Sequence, residues 1–205
     1  MNIPKLTCFG SCRTLVISKY VPQTRLNELI TFTHSTKEVI QLIKFLKKEI
    51  NIPNEINKYC FRTGIIENRN IELLPNFITL FDNTDTVIIE ICSSRIYNYE
   101  GYYLHHLAID TRFPESNNTP ENIKNIVIKT IQSKEELELD LVTLREILHP
   151  KQILIISHFN TKHNGIVFQK REILINNLQE LCNKHNIPFY NPTILFNKFK
   201  QFDII

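Results

Sequence analysis

A glycine-serine step directly after a short apolar run is the first place in this chain where covalent chemistry could be done. In Lys5-Leu-Thr-Cys-Phe-Gly-Ser-Cys-Arg-Thr14, Leu6 to Phe9 has the length and composition of a buried strand, and Thr14 to Tyr20 can continue as a helix. Ser11 then falls on the turn between them. The first free N–H groups of a helix point at such a turn, and the helix dipole favours negative charge there. Acyl transfer needs this arrangement, because its tetrahedral intermediate carries an oxyanion that fixed donors stabilise without reorganising. Gly-Ser after a strand is equally an ordinary tight turn, so the serine matters only if other reactive groups converge on it.

Three further places supply such groups. His34 stands just before Ser35-x-x-Glu38, a capping-box spacing that opens a helix. Ser93-Ser94-Arg95 follows Thr86-Val-Ile-Ile-Glu-Ile-Cys92, and His158 with Asn160 follows Gln152-Ile-Leu-Ile-Ile-Ser157. Both preceding runs are β-branched and almost wholly apolar, as strands covered on two faces are. In a parallel α/β sheet every strand-to-helix loop lies at the carboxyl edge, so Ser11, His34, Ser93, Ser94 and His158 are expected on one rim. Ser11, His34 and His158 are the candidate catalytic groups. Arg13, Arg62, Ser93, Ser94, Arg95 and Asn160 are the candidate substrate contacts. Tyr97 to His106, with four tyrosines and the pair His105-His106, reads either as a wall for a polar ligand such as a sugar or as a packing loop. His158, His163 and His185 lack a carboxylate or cysteine to complete a ligand set, so no metal site is expected.

The elements that must hold these groups follow from periodicity. The helix opened by Ser35 carries Val39, Ile40, Leu42, Ile43 and Leu46 at helical spacing, and a second capping box, Ser133 with Glu136, opens another through Leu137, Leu141, Leu144 and Ile147. Residues 26–33 are expected to end in a strand, 51–86 to be mostly irregular, 110–121 a polar loop, 120–132 helical, 168–185 an amphipathic helix, and 187–190 a last short strand before a helical turn at Asn191-Pro192-Thr193. The predicted fold is a three-layer α/β/α domain over residues 1–205, with a mostly parallel sheet of about five strands, either alone or as the N-terminal part of a longer protein. Residues 6–9, 87–92 and 153–157 are its expected inner strands.

Composition narrows the function. The net charge of +3 is small, and Lys and Arg are interspersed with Asp and Glu, so nothing calls for nucleic acid. No apolar run reaches the length of a membrane span and no signal peptide precedes the first strand, which predicts a soluble cytoplasmic protein. Four glycines make a dinucleotide or P-loop motif unlikely to be hidden here. The five scattered cysteines are expected as reduced thiols, two or three of them in core strands. Alanine occurs once while Ile and Asn abound, a coding bias that argues against reading each Asn as functional.

The Phe-Gly-Ser-Cys-Arg block, the Val-Ile-Ile-Glu-Ile-Cys-Ser strand, the Ile-Ile-Ser-His-Phe-Asn strand and the final Asn-Pro-Thr together resemble the SGNH-hydrolase superfamily, and within it the GSCFA-type and capsular-polysaccharide-biosynthesis members. The resemblance implies Ser11 as nucleophile and oxyanion donors near Ser93 and Ser94. It departs from the superfamily at the end, where an Asp-x-x-His block is usual and this chain has Phe202-Asp-Ile-Ile205. A base drawn from within the chain, His158 or His34, suits the members similar to acyl-coenzyme A-dependent sugar transferases. The first expectation is therefore an acetyl-coenzyme A-dependent acyltransferase acting on an amino or hydroxyl group of a sugar or nucleotide sugar. A carbohydrate acetylesterase with Ser11 as covalent nucleophile is the second, and a non-catalytic carbohydrate-binding domain the third.

Overall fold

The computed structural model describes residues 5–14, 31–160 and 167–198. The three inner strands fall where the apolar runs predict: β1 (Leu6–Phe9), β2 (Thr86–Ile91) and, in chain order the sixth, β6 (Gln152–Ser157). With β7 (Phe189–Tyr190) they form a parallel sheet in the order β1-β2-β6-β7. Helices cover both faces, giving the three-layer α/β/α arrangement. β2 is an inner strand between β1 and β6, as its nearly continuous apolar character leads one to expect. Beyond β1, Phe32 makes a parallel bridge to Gly10, so the chain before His34 runs along the sheet edge. The remainder of that expected strand and the helix expected over 14–20 lie outside the described residues.

Pleating sorts the sheet's side chains. Phe9, Val87, Ile89 and Ile91 enter the main core, while Leu6, Cys8 and Ile88 pack on the other face with Leu154 and Ile156. The main core is closed by α1 (Thr36–Leu46), through Val39, Leu42, Ile43 and Leu46, and by α7 (Lys134–Leu148), through Leu137, Leu141, Leu144 and Leu148. Ser133 and Glu136 form the full reciprocal capping box of α7. At α1 the box is shifted: Ser35 Oγ accepts the Glu38 N–H at 3.3 Å, but the Glu38 carboxylate accepts from His34 N, at 3.1 Å, one residue earlier than the motif implies. This extra bond fixes the backbone of His34.

Three expectations need correction. Residues 51–86 are not irregular: α2 (Asn54–Cys60), α3 (Arg62–Glu67) and α4 (Pro75–Asp82) fill them. The prolines that suggested a loop occupy helix starts, Pro53 at the N-cap and Pro75 at the first turn, where a missing N–H costs nothing. The helix expected over 120–132 stops after α6 (Glu121–Ile126), and Ile128–Ile131 forms β5. β5 pairs antiparallel with β3 (Arg95–Tyr99), which also pairs with β4 (Tyr102–Tyr103), making a separate three-stranded sheet. Cross-strand pairing outside the main sheet outweighs the local helical pattern of Ile123 to Ile131. Finally, only Cys8 among the cysteines lies in a strand. Cys60 and Cys182 are buried in α2 and in α8 (Gln169–Lys184), and none of the five is in a disulfide.

The tyrosine-rich segment is the β3–β4 hairpin. Gln41 of α1 pins it, its side chain accepting from Tyr103 N and donating to Tyr103 O, both at 2.8 Å. The hairpin leads into α5 (His106–Ile109), and the chain ends its described part in α9 (Pro192–Lys198). Among the described residues no helix is long and apolar enough to cross a membrane.

Candidate active site

A carboxylate in the middle of an otherwise apolar central strand must find partners or lose its charge. Glu90 is that residue, 3% exposed, one position from the end of β2. It is the hub of the carboxyl rim. Ser11 Oγ donates to Glu90 Oε2 at 2.6 Å and Ser11 N donates to the same oxygen at 3.0 Å, while His158 Nδ1 lies 2.8 Å from Glu90 Oε1. Gly10 makes this approach possible. Its φ is +151°, and a Cβ there would stand 2.6 Å from Glu90 Cβ and 2.8 Å from Thr14 Cγ2. The Ser11 turn is then closed from behind by Thr14, whose N and Oγ1 both donate to Ser11 O.

The ring of His158 is fixed from several sides. It stacks on Phe159 with centroids 5.2 Å apart, and the Arg13 guanidinium lies 4.1 Å over the same phenyl ring. Arg13 Nη1 lies against the ring, 2.7 Å from His158 Nε2 and 2.9 Å from Nδ1. The Glu90 carboxylate assigns the tautomer: it needs a donor, so Nδ1 carries the proton and Nε2 keeps its lone pair. Burial pushes the His158 pKa down, and the charges of Arg13 and Arg171 add to this against the raising effect of the Glu90 hydrogen bond. Burial would push Glu90 up, but hydrogen bonds from His158 and Ser11 outweigh it and hold the carboxyl below its ordinary value. At neutral pH the pair is an ionised carboxylate orienting a neutral imidazole. Cys92 faces the same carboxylate, and burial, reinforced by that charge, pushes its thiol far up, so it stays protonated and poorly nucleophilic.

Ser11 and His158, both singled out in the sequence, therefore meet on a residue that the sequence reading left without a role. A lone charge inside Thr86–Ile91 was the available signal. The order of contacts differs from the familiar serine triad, in which histidine bridges serine and carboxylate. Here the carboxylate bridges serine and histidine.

The other candidates are placed as follows. His34 carbonyl oxygen accepts from Cys92 N and Ser93 N, both at 2.9 Å, which ties its loop to the end of β2, but its ring packs against His105 and His106 rather than on Glu90. The Ser93 N–H is thereby engaged, and Ser93 Oγ accepts from Arg95 N. Ser94 O accepts from Gln132 N. Arg95 turns to Asp110 and lines a separate cavity with Tyr97 and Lys129. Arg62 lies over the Phe32 ring, 4.6 Å away. Asn160 bridges segments, its side chain pairing with Phe168 N and O and its N–H with Thr193 Oγ1. Of the donors expected to face an oxyanion, those of Ser11 and Ser93 are both bonded within the protein, and Arg13 is the cation standing against His158. His163 lies outside the described residues.

Among curated proteins, the Vi polysaccharide biosynthesis protein TviD of Salmonella typhi is 22% identical over 239 residues, an alignment that covers 96% of this chain and 28% of that protein. This chain thus spans less than a third of its relative's length. The TviD N-terminal domain family matches over residues 4–125 and 117–205, nearly the whole chain, and to that family this protein belongs.

Proposed function

We propose that this domain is a sugar acyltransferase of polysaccharide biosynthesis, using acetyl-coenzyme A to acetylate a hydroxyl or amino group, with His158 as general base. The relative's name points to polysaccharide biosynthesis, and the SGNH-like order of elements is compatible with acyl chemistry. The observation that carries the reading is the Glu90–His158 pair: a buried carboxylate holds Nδ1–H at 2.8 Å and leaves Nε2 as the basic atom of the rim.

In the proposed reaction an acceptor group displaces Arg13 from Nε2. His158 takes the proton as the acceptor oxygen or nitrogen attacks the thioester carbonyl, and Glu90 stabilises the resulting imidazolium. The displaced Arg13 guanidinium compensates the developing oxyanion. Collapse breaks the C–S bond, and the departing thiolate receives the proton back from His158. The products are free coenzyme A thiol and the acetylated sugar, with no covalent enzyme intermediate. Ser11 contributes position: it holds the carboxylate that holds the histidine. Cytoplasmic location follows as part of this proposal, since acetyl-coenzyme A is made and kept there.

One observation favours the acetylesterase reading instead. The 2.6 Å bond from Ser11 Oγ to Glu90 gives the serine a direct proton acceptor. A carboxyl held below its ordinary pKa is a weak base, however, and among the described residues no imidazole touches the hydroxyl, so direct transfer is preferred. Incubation with acetyl-coenzyme A and a panel of amino-sugar nucleotides and oligosaccharides, followed by thiol titration, tests the proposal. Acceptor-dependent thiol release supports it. Stable labelling of Ser11 by an organophosphonate, with acetate released from acetylated sugars and no thiol release, replaces it with the esterase.

A further inference from the structure

Beside the Glu90 cluster, the loop before α1 and the end of the β3–β4 hairpin bring three imidazoles together. The His34 ring centroid is 4.2 Å from that of His106 and 5.0 Å from that of His105, and those of His105 and His106 are 4.4 Å apart. One ring nitrogen from each lies within 4.8 Å of the other two. Two of the ring nitrogens, His34 Nδ1 and His105 Nε2, are buried with no hydrogen-bond partner among the described residues. Buried polar atoms are rarely left so, and two in one cluster mark a place built for something else. The backbones are held: His34 N by Glu38, His34 O by Cys92 and Ser93, and His105 N by Tyr59 O at 2.9 Å. His105 is fully buried, whereas His34 and His106 are half-buried, which leaves one side of the cluster open.

We propose that His34, His105 and His106 form a three-histidine site for a transition-metal dication, with zinc the ion that the donor set fits best. Three neutral imidazoles with an open fourth position are a recurrent zinc arrangement. Nitrogens bound to one tetrahedral zinc stand about 3.4 Å apart, so the rings close slightly on the ion. His105 Nδ1 accepts from Leu107 N at 3.3 Å. Ligation through Nε2 moves the ring proton to Nδ1 and gives up that long contact. The surrounding charges are divided, with Arg62 and Arg112 opposing a cation and Glu90, Asp110 and Glu115 favouring it. The proposal is independent of the acyltransferase reading.

The chelator-treated 205-residue chain should bind one zinc ion per molecule by titration calorimetry. Cobalt(II) in its place should give the visible absorption of a tetrahedral ion without a thiolate charge-transfer band. His106→Gln and, separately, His34→Gln should each weaken zinc binding at least tenfold while circular dichroism and the unfolding transition stay cooperative. Cys92→Ser should bind zinc normally, because the neighbouring Glu90, Cys92 and His158 also lie within 4.8 Å of one another and are the rival ligand set. The proposal is overturned if no zinc binds, if folded His106→Gln and His34→Gln bind it as the unaltered chain does, if binding vanishes in Cys92→Ser, or if inorganic phosphate binds in zinc's place.

Discussion

Two polar clusters stand side by side near the rim of the parallel sheet, and they are satisfied in opposite ways. Around Glu90 the key donors have acceptors: Ser11 gives two hydrogen bonds and His158 gives one, with Arg13 Nη1 within 2.9 Å of both imidazole nitrogens. Around His34 the rings touch one another, yet two buried nitrogens have no partner among the described residues. The first cluster is complete in itself and so can contribute to folding. The second carries an uncompensated desolvation cost of about 1–3 kcal/mol per orphaned atom, which a bound ion would remove. Satisfied and unsatisfied polar groups thus stand only a few residues apart, with the backbone of His34 joined to the end of β2 between them.

Removing the hub should have the largest effect. Glu90→Ala leaves Ser11 N, Ser11 Oγ and His158 Nδ1 without their acceptor, and should cost about 3–5 kcal/mol in urea unfolding. Glu90→Gln keeps an acceptor for Ser11 and should cost clearly less. If both cost the same, the retained acceptor contributes nothing and the charge alone holds the cluster. Gly10→Ala comes next. Its Cβ must push against the Glu90 Cβ 2.6 Å away and accept a φ of +151°, so a loss of about 2–3 kcal/mol is expected, with the Ser11 turn displaced. Ser11→Ala removes one charge-assisted bond and leaves the Ser11 N–H bond intact, which should cost about 1–2 kcal/mol.

Acid should act on the same cluster. Both Glu90 and His158 are held below their ordinary values, so on acidification the unfolded chain takes protons before the folded one does. Their contribution to stability is present above pH 6.5 and is lost as pH falls, first as the unfolded histidine protonates and further below 4.5. Glu90→Gln should flatten the part below 4.5. Monitoring the urea midpoint between pH 7 and pH 4 checks this, and a midpoint that rises on acidification would mean that the signs are reversed.

The rim was legible because connectivity alone predicts it. Ser11 ends β1, His158 follows β6, and parallel strands put both at one edge whatever their neighbours are. Glu90 was overlooked because it lies inside the strand: an apolar-run reading of Thr86–Ile91 treats the one charged residue as noise, although its burial makes it the most constrained residue there. The histidine cluster was hidden for a different reason. His105 and His106 reach His34 only through the antiparallel pairing of β3 with β4 and β5, and that second sheet has no local signature in residues 120–132, where Ile123, Ile126 and Val127 suggest a helix that continues. The helices of 51–85 were concealed by prolines, which punctuate loops and begin helices alike.

The central claim is that His158, oriented by Glu90, is the base, and that Ser11 is a positioning residue. Its most direct measurement is kcat/KM for acceptor-dependent thiol release from acetyl-coenzyme A in His158→Ala and Ser11→Ala, each verified as folded. The account predicts a fall of about 10²–10⁴-fold for His158→Ala, together with a loss within about tenfold for Ser11→Ala, one lost hydrogen bond converted to rate. An inactive Ser11→Ala beside an active His158→Ala would contradict it and make the serine the nucleophile.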